Sequence, residues 1–474
     1  MAKNFKDREE GAEWVSRFEA MLQNGNTAFF DLDSYEYIIQ YYLRNGNFGT
    51  ARQACELAIE SYPYSTDLMI DYAHILANTG EIERAMATIE SAELLLPNDV
   101  DVVMVKSSLM AQNNHYKEAV DYIQTALETI EEKDELYFIL GVTYQQWNRF
   151  DKAIEAYQQT IKLNPKHEDA LLELGFCLDL TDQNEQCIDV YKAYLDHEPY
   201  AFQAWYNLGI IYSKLERYEE ALDAYEFAIA IQDEFVEAYF NMGNVYMSML
   251  RFQKAFSSYE YAQQIEKKRG QENPETLVFM GLACEHLENY TDAMHYFREA
   301  LKIDNDYAEA WFGMGECMLR QDKNYEAIHF FSKAVELIPE YAIYWQKLAE
   351  AEYKIDNVVS SIKAYEEACT LEPDNVKCWI DWSLIYYQQG DFSKAVEVIG
   401  DGIEQNPEET VLYYHAVAYM LGLGKFKEAL SILERALMMD YEGHAVLFEI
   451  IDNLEAQKAL HKIIAQYSDL KGDK

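Results

Sequence analysis

The sequence predicts an all-α fold in which antiparallel helix hairpins stack into a solenoid. Gly (20) and Pro (8) are scarce among 474 residues, a composition that favours helix over folds with many turns. Half of the residues are hydrophobic, so the chain is able to bury a large core. Similar residues also recur every 34 positions, and a fixed period of this length is typical of repeat architectures.

The recurrence is clearest in the middle of the chain. The residues Trp205, Leu208, Gly209, Tyr212, Ala221, Tyr225 and Ala228 are followed 34 positions later by Tyr239, Met242, Gly243, Tyr246, Ala255, Tyr259 and Ala262. Twelve predicted repeats span 32–443, with four inserted residues at 270–273, and cover 412 of the 474 residues. They begin at Leu32, Thr66, Val100, Asp134, Glu168, Phe202, Val236, Pro274, Ala308, Ala342, Val376 and Thr410.

Each repeat predicts two helices that bury each other's apolar stripe. Counted from the start of a repeat, positions 4, 7, 8 and 11 share one face of a first helix, and positions 20, 24 and 27 share one face of a second. We expect the two helices to be closest at position 8, where six successive repeats carry glycine: Gly141, Gly175, Gly209, Gly243, Gly281 and Gly315. Turn residues at position 15, including Gly46, Asn114 and Gly424, separate the helices. We predict an N-terminal capping helix in 1–31 and C-terminal capping helices in 444–474.

This pattern resembles the tetratricopeptide repeat family, which places a large residue at position 4, Leu at 7, a small residue at 8, Tyr at 11, Ala at 20, an aromatic at 24, Ala at 27 and Pro at 32. Position 8 departs from the pattern in outer repeats, for example at Ile39, Ser107 and Val417. The resemblance implies a right-handed superhelix whose first helices line a concave groove. In the family, this groove is the usual ligand site, and positions 2, 5, 9 and 12 face it.

Charge and motifs argue against several classes of function. The net charge of −44 would repel a phosphate backbone, so we expect no nucleic-acid ligand. No signal peptide and no membrane-spanning stretch is recognisable, and we predict a cytoplasmic protein without membrane insertion. The seven scattered cysteines are interpreted as reduced, buried thiols. We found no catalytic, metal or cofactor motif, and 31 residues at either end of the repeats leave no room for a catalytic domain, so we predict a protein that is not an enzyme.

The predicted groove is apolar and aromatic. Positions 5 and 9 supply its candidate partner-binding residues: Phe138, Val142, Leu172, Phe176, Tyr206, Ile210, Phe240, Asn244, Val278, Leu282 and Phe312. An aromatic residue at position 5 also has a purely structural interpretation, because it can help neighbouring repeats to pack. Position 9 is usually a polar Asn in the family, so Phe176, Ile210 and Leu282 favour contact with an apolar ligand.

Acidic residues at position 2 form a predicted rim of this groove: Asp101, Glu135, Asp169, Glu237, Glu275 and Glu309. One interpretation is that they stabilise the positive ends of the first helices. The other is that they attract a partner that carries Lys or Arg. Some members of the family clamp acidic chaperone tails with Lys at position 5, but no repeat has Lys there, and Lys347 and Lys377 are isolated. We therefore expect no acidic tail as a ligand.

Three hypotheses of function follow from the surface. The first is a non-catalytic scaffold or adaptor that holds a protein or peptide with apolar anchors and basic flanks in the groove. The second is a self-associating structural scaffold, that is, a homo-oligomer. The third is an accessory subunit that presents a separately encoded enzyme to its substrate.

Overall fold

The chain is all-α, as the sequence predicts. The computed structural model describes residues 2–24, 29–451 and 454–471, and within these ranges it contains helices and no strand. The chain divides into two compact units, 1–233 (unit 1) and 234–474 (unit 2), each with its own interior.

Unit 1 begins with one long helix and continues with six helix pairs. Among its described residues, the helices are α1 (Ala2–Asn24), α2 (Leu32–Arg44), α3 (Phe48–Ser61), α4 (Thr66–Asn78), α5 (Ile82–Leu95), α6 (Val100–Gln112), α7 (Tyr116–Thr129), α8 (Lys133–Gln146), α9 (Phe150–Leu163), α10 (Glu168–Leu180), α11 (Asn184–His197), α12 (Phe202–Lys214) and α13 (Tyr218–Ile231).

Unit 2 contains six further pairs and ends with short and long helices. In the part that the structure describes, these are α14 (Val236–Ser248), α15 (Phe252–Arg269), α16 (Pro274–His286), α17 (Tyr290–Ile303), α18 (Ala308–Arg320), α19 (Asn324–Leu337), α20 (Ala342–Lys354), α21 (Val358–Leu371), α22 (Val376–Gln388), α23 (Phe392–Gln405), α24 (Thr410–Gly422), α25 (Phe426–Met439), a 3-10 helix (Glu442–Ala445), α26 (Val446–Ile450) and α27 (Leu454–Lys471).

Within each unit, the helices stack in chain order. The two helices of a pair pack against each other, and the second helix packs against the first helix of the following pair. Each unit is thus an all-α solenoid that lacks long-range crossings of the chain. We propose that the twelve pairs are the twelve predicted repeats, and that α1 and α26–α27 are their caps.

The glycines of position 8 accommodate an aromatic ring from the second helix of the same pair. A Cβ atom added to Gly209 would lie 2.6 Å from Cε1 of Tyr225, and the rings of Tyr259 and Phe331 face Gly243 and Gly315 in the same way. Such distances are far below van der Waals contact. The absence of a side chain therefore outweighs glycine's helix penalty of about 1 kcal/mol.

Three residues link the two helices of every pair, and the middle one adopts the left-handed conformation. At position 15, φ lies between 55° and 82° in all twelve pairs. Glycine adopts this conformation without strain, and Asn and Asp tolerate it better than other residues. Four pairs use Gly and five use Asn or Asp, whereas the remaining three use Glu216, Leu250 and Glu288. The repeat period places turns at these three positions, but the residue types give no indication of the left-handed conformation.

Leu250→Gly is expected to stabilise the protein by roughly 0.5–1 kcal/mol. The left-handed conformation costs an ordinary residue about 1–2 kcal/mol, and the greater freedom of glycine in the unfolded chain cancels part of the gain. Leu250 is exposed, so little packing is lost. The matched control is Gly390→Ala at the same position of another pair, which should lower the thermal midpoint. Two shifts of the same sign would contradict this account of the turn.

Aromatic residues at position 4 form hydrogen bonds to the loops between consecutive pairs. The indole N–H of Trp205 donates to the Pro199 carbonyl at 2.9 Å, six residues earlier. Trp311, Trp345 and Trp379 donate in the same way to the carbonyls of Asn305, Pro339 and Pro373, and the Tyr413 hydroxyl donates to the Pro407 carbonyl. The bond satisfies a carbonyl that follows the end of a helix and would otherwise lack an intrahelical donor.

The four-residue insertion lengthens a helix and leaves the loop that follows, 270–273, at the four residues usual between pairs. Helix α15 has 18 residues, whereas the other second helices have 14, and it ends at Gly270 in the left-handed conformation. The extra turn brings Glu266 into the interior, where the Thr276 hydroxyl donates to Oε1 at 2.7 Å and the Asn273 backbone N–H donates to Oε2 at 3.3 Å. Lys268 and Arg269 of the same turn form ion pairs with Glu234.

Stability near the insertion should depend on pH through Glu266. Burial raises the pKa of this carboxyl above 4.5, although Thr276 and Asn273 oppose the shift. The folded state therefore binds the proton more tightly than the unfolded state, and the free energy of unfolding falls as pH rises through the interval above 4.5. Relative to wild type, we expect Glu266→Gln to be more stable at pH 7 than at pH 4.5. Any pH-independent cost of the altered contacts cancels in this comparison.

Urea denaturation at the two pH values measures this difference. Glu260→Gln, an exposed change on the same helix, controls for the removal of one negative charge from the chain. If the difference between Glu266→Gln and wild type did not vary with pH, Glu266 would not be the group responsible.

Candidate functional site

The aromatic residues of position 5 pack on the second-helix rings that contact the glycines of position 8. The ring of Phe138 is 5.9 Å from that of Tyr157, and the pairs Tyr206–Tyr225, Phe240–Tyr259 and Phe312–Phe331 are 5.8, 5.5 and 5.5 Å apart. Phe312 also stacks on Tyr344 of the next pair at 4.8 Å. These contacts favour the packing interpretation for position 5, and the four side chains are only partly exposed.

Position 9 in unit 1 differs, because apolar side chains there face solvent. Phe176 on α10 is 54% exposed, and Ile210 on α12 is 36% exposed. Val142, at the same position of α8, is partly exposed. One turn beyond Phe176, Leu180 is 53% exposed, which sequence reasoning missed because position 13 was not among the predicted groove positions. We call Val142, Phe176, Leu180 and Ile210 the apolar strip.

The remaining predicted groove residues are less accessible. Val278 is buried in unit 2, and Leu172 and Leu282 are partly exposed. The Asn244 side chain accepts a hydrogen bond from the Tyr259 hydroxyl at 2.7 Å, so its amide already has a partner inside unit 2. The predicted set is therefore divided between packing positions and an exposed apolar group in unit 1.

The predicted acidic rim is largely exposed to solvent. Asp101, Glu135, Asp169, Glu237 and Glu309 are exposed, and Glu275 is partly exposed. In unit 2, the pKa of Tyr307 is raised to about 12. Burial is the main cause, and the negative charges of Glu309 and Glu275 contribute further. In unit 1, Glu135 lies 3.7 Å from Nε2 of His167.

A further acidic cluster lies on the first helices α2 and α4. Burial raises the pKa of Glu36, and the nearby charges of Asp67, Asp33 and Asp71 raise it further. Asp71 accepts a hydrogen bond from the Gln40 amide at 3.2 Å. A cleft of about 610 Å³ opens beside this cluster, lined by Asp33, Glu36, Tyr37, Gln40, Tyr41, Arg44 and Asn45. Glu36 and Asp71 stand outside position 2 and were therefore not predicted.

The first helices of unit 2 carry ion pairs where an apolar surface was expected. Lys347 lies between Glu316 and Glu350, with N–O distances of 3.4 Å to each. Glu285 is buried and pairs with Arg320 on the next first helix. Lys347 is thus paired with two carboxylates within unit 2.

Metal sites, disulfides and membrane-spanning helices are absent from the described ranges of the chain. In these ranges, no group of three or more His, Cys, Asp or Glu residues could hold a metal ion. The seven cysteines are buried and form no disulfide. Among the described helices, none has the length and apolar character needed to cross a membrane.

The repeated segments match profiles of a known family. Three profiles described as tetratricopeptide repeat match the sequence, at residues 42–109 and 286–352, at 135–167 and 202–235, and at 236–269. The chain belongs to the tetratricopeptide repeat family. Such repeats are generally non-catalytic and bind peptides or proteins, and this tetratricopeptide repeat chain is a protein–protein interaction scaffold.

Several solved structures are similar to this tetratricopeptide repeat chain. The crystal structure of YrrB, described as a TPR protein with an unusual peptide-binding site, is 21% identical over 40% of this chain and 95% of its own, with a TM-score of 0.32. The Cut9–Hcn1 hetero-tetramer of APC/C is 13% identical over 91% and 95%, with a TM-score of 0.40. MamA is 28% identical over 36% and 97%, with a TM-score of 0.33. No curated protein sequence matches the chain.

Proposed function

We propose that the protein is a non-catalytic adaptor that holds a partner segment against the apolar strip, and that this segment is apolar with basic flanks. The observation that carries the proposal is the exposure of Phe176, Leu180 and Ile210 on first helices of one unit. A protein surface rarely exposes several large apolar side chains to water unless a partner covers them. Three or four such anchors suit an amphipathic helix or an extended segment.

The charge around the strip supports the basic flanks. Glu135 and Asp169 are exposed on α8 and α10, the helices that carry Val142 and Phe176. The acidic cluster of Asp33, Glu36 and Asp71 extends the negative surface toward the start of unit 1. Negative charge of this density attracts Lys and Arg at long range and favours basic partners over acidic ones.

The cellular context follows from the thiols and the charge. Seven buried cysteines without a disulfide fit a reducing compartment, so we propose the cytoplasm.

Self-association and the presentation of a separate enzyme are the alternative functions. The mass of the protein in sedimentation velocity distinguishes self-association from partner binding.

Site-specific photo-crosslinking tests the proposal. Phe176 is replaced by the photoreactive p-benzoylphenylalanine, and the protein is irradiated in native lysate. The control carries the same group at Leu94, which is also exposed but lies on the second helix α5. We expect adducts that form only from position 176, map to apolar segments next to Lys or Arg, and decrease at high ionic strength. The same adducts from both positions, or adducts to acidic segments, would argue against the proposal.

A further inference from the structure

The second helix of the last pair exposes apolar side chains that are covered elsewhere in the chain. At position 21, Ile154 and Ile188 are 6% and 2% exposed, whereas Leu430 is 39% exposed. At position 17, Phe426 is 67% exposed. This surface is distinct from the apolar strip, so the inference below does not rest on the proposed function.

Contacts within unit 2 show what normally covers these positions. Phe252, at position 17, stacks on His286 of the next first helix at 4.5 Å. Phe392, at the same position, faces Gly422 of the next first helix so closely that a Cβ on that glycine would lie 2.8 Å from the ring. Position 17 is therefore covered by the first helix of the following pair.

After the last pair, the 3-10 helix and α26 contact α24, and residues of α27 line a cleft beside α24 and α25. Ala459, Leu460 and Ile463 of α27 approach α24 and α25, but a cleft of about 250 Å³ remains between them. The other residues that line it are Val417, Leu421, Phe426, Ala429, Leu430 and Leu433, so its walls are apolar throughout.

Four lysines are next in sequence to residues that line this cleft, in an otherwise strongly acidic chain. Lys425 and Lys427 flank Phe426, while Lys458 and Lys462 directly precede Ala459 and Ile463. All four are exposed, and Glu428 is the one acidic residue within 425–430 and 457–463. A helix with acidic residues beside its apolar face would complement this surface.

We propose that the cleft between α25 and α27 docks an amphipathic helix of a partner protein, with apolar residues facing Phe426 and Leu430 and acidic residues facing the lysines. The partner helix takes the position that the first helix of another pair would occupy. The helix proposed for this site carries acidic residues, and the segment proposed for the apolar strip carries basic flanks, so the two surfaces recognise different segments.

Selection from a displayed library of helical peptides tests the proposal on the full chain. The peptides share an apolar face, and their flanking positions are randomised. Selection uses the wild type, with counter-selection on the double variant Phe426→Ser/Leu430→Ser. The matched control is Met438→Ser, an exposed apolar residue of the same helix that does not line the cleft. Circular dichroism verifies that all variants remain helical.

We expect enriched peptides with Asp or Glu flanks that bind wild type and Met438→Ser equally and bind the double variant at least tenfold more weakly. Lys458→Glu/Lys462→Glu should weaken the same peptides. Enrichment of basic or neutral flanks, or no peptide that depends on Phe426 and Leu430, overturns the proposal. A wild-type dimer that becomes monomeric in the double variant would make a second copy the occupant and would also overturn it.

Discussion

Gly209→Leu is expected to lower the free energy of unfolding by about 3 kcal/mol or more, because overpacking of a close helix contact is costly. The Cβ of the new side chain would lie 2.6 Å from the ring of Tyr225, and three further carbons would have to enter the same space. Tyr225 is buried and packs on Tyr206 at 5.8 Å, so the ring has little room to move. The helices α12 and α13 would therefore separate.

Thermal denaturation followed by circular dichroism measures this loss, and hydrogen exchange shows whether α12 and α13 open first. The control is Gly400→Ala on α23, where an added Cβ meets nothing within 4 Å. There, the better helix propensity of Ala should raise stability by about 0.5–1 kcal/mol. In a Tyr225→Ala background, Gly209→Ala should cost much less than in wild type. A wild-type melting temperature for Gly209→Leu would contradict the packing described here.

Phe176→Asp combined with Ile210→Asp is expected to weaken binding of the crosslinked partner segment at least a hundredfold. A large apolar side chain contributes about 1.5–3 kcal/mol when it is fully buried on binding, and 1.4 kcal/mol corresponds to a factor of ten in affinity. The new carboxylates would also have to be desolvated beneath the ligand. Titration calorimetry with the synthetic segment provides the affinity.

The double variant should remain folded, because both side chains already face solvent. Leu94→Asp is the matched control, since it places a carboxylate at an exposed apolar position on a second helix and should leave the affinity unchanged. Unchanged binding by a folded Phe176→Asp/Ile210→Asp protein would remove the apolar strip as the ligand site. The search would then move to the acidic cleft and to self-association.

The regular part of the fold could be predicted from the sequence because one contact recurs in six successive repeats. Gly209 and Tyr225 are 16 residues apart, and this spacing repeats with the period of 34, so periodicity alone predicts which helix faces meet. The repeat register places a turn at Leu250, but its left-handed conformation could not be predicted from the residue type. Leucine has no preference for a left-handed conformation, and the flanking helices impose it.

The candidate site was predictable only in part, because side-chain exposure depends on neighbours that are distant in sequence. The sequence left packing and ligand contact both open for Phe138 at position 5, and the ring of Tyr157 packs against it. At position 9 the sequence favoured ligand contact, and Phe176 faces solvent. Leu180 lay outside the expected positions. The ion pair of Glu285 with Arg320 joins residues 35 positions apart, and nothing in the local pattern links them.

The bonds from tryptophans to loop carbonyls have a spectroscopic consequence. Four of the seven tryptophans, Trp205, Trp311, Trp345 and Trp379, lie at junctions between consecutive helix pairs. Repeat stacks open locally, one junction at a time, with free energies that differ along the chain. Indole emission shifts to longer wavelength when water replaces a fixed carbonyl partner. Variants that retain one of these tryptophans would therefore report the opening of a single, known junction through intrinsic fluorescence, without an attached label.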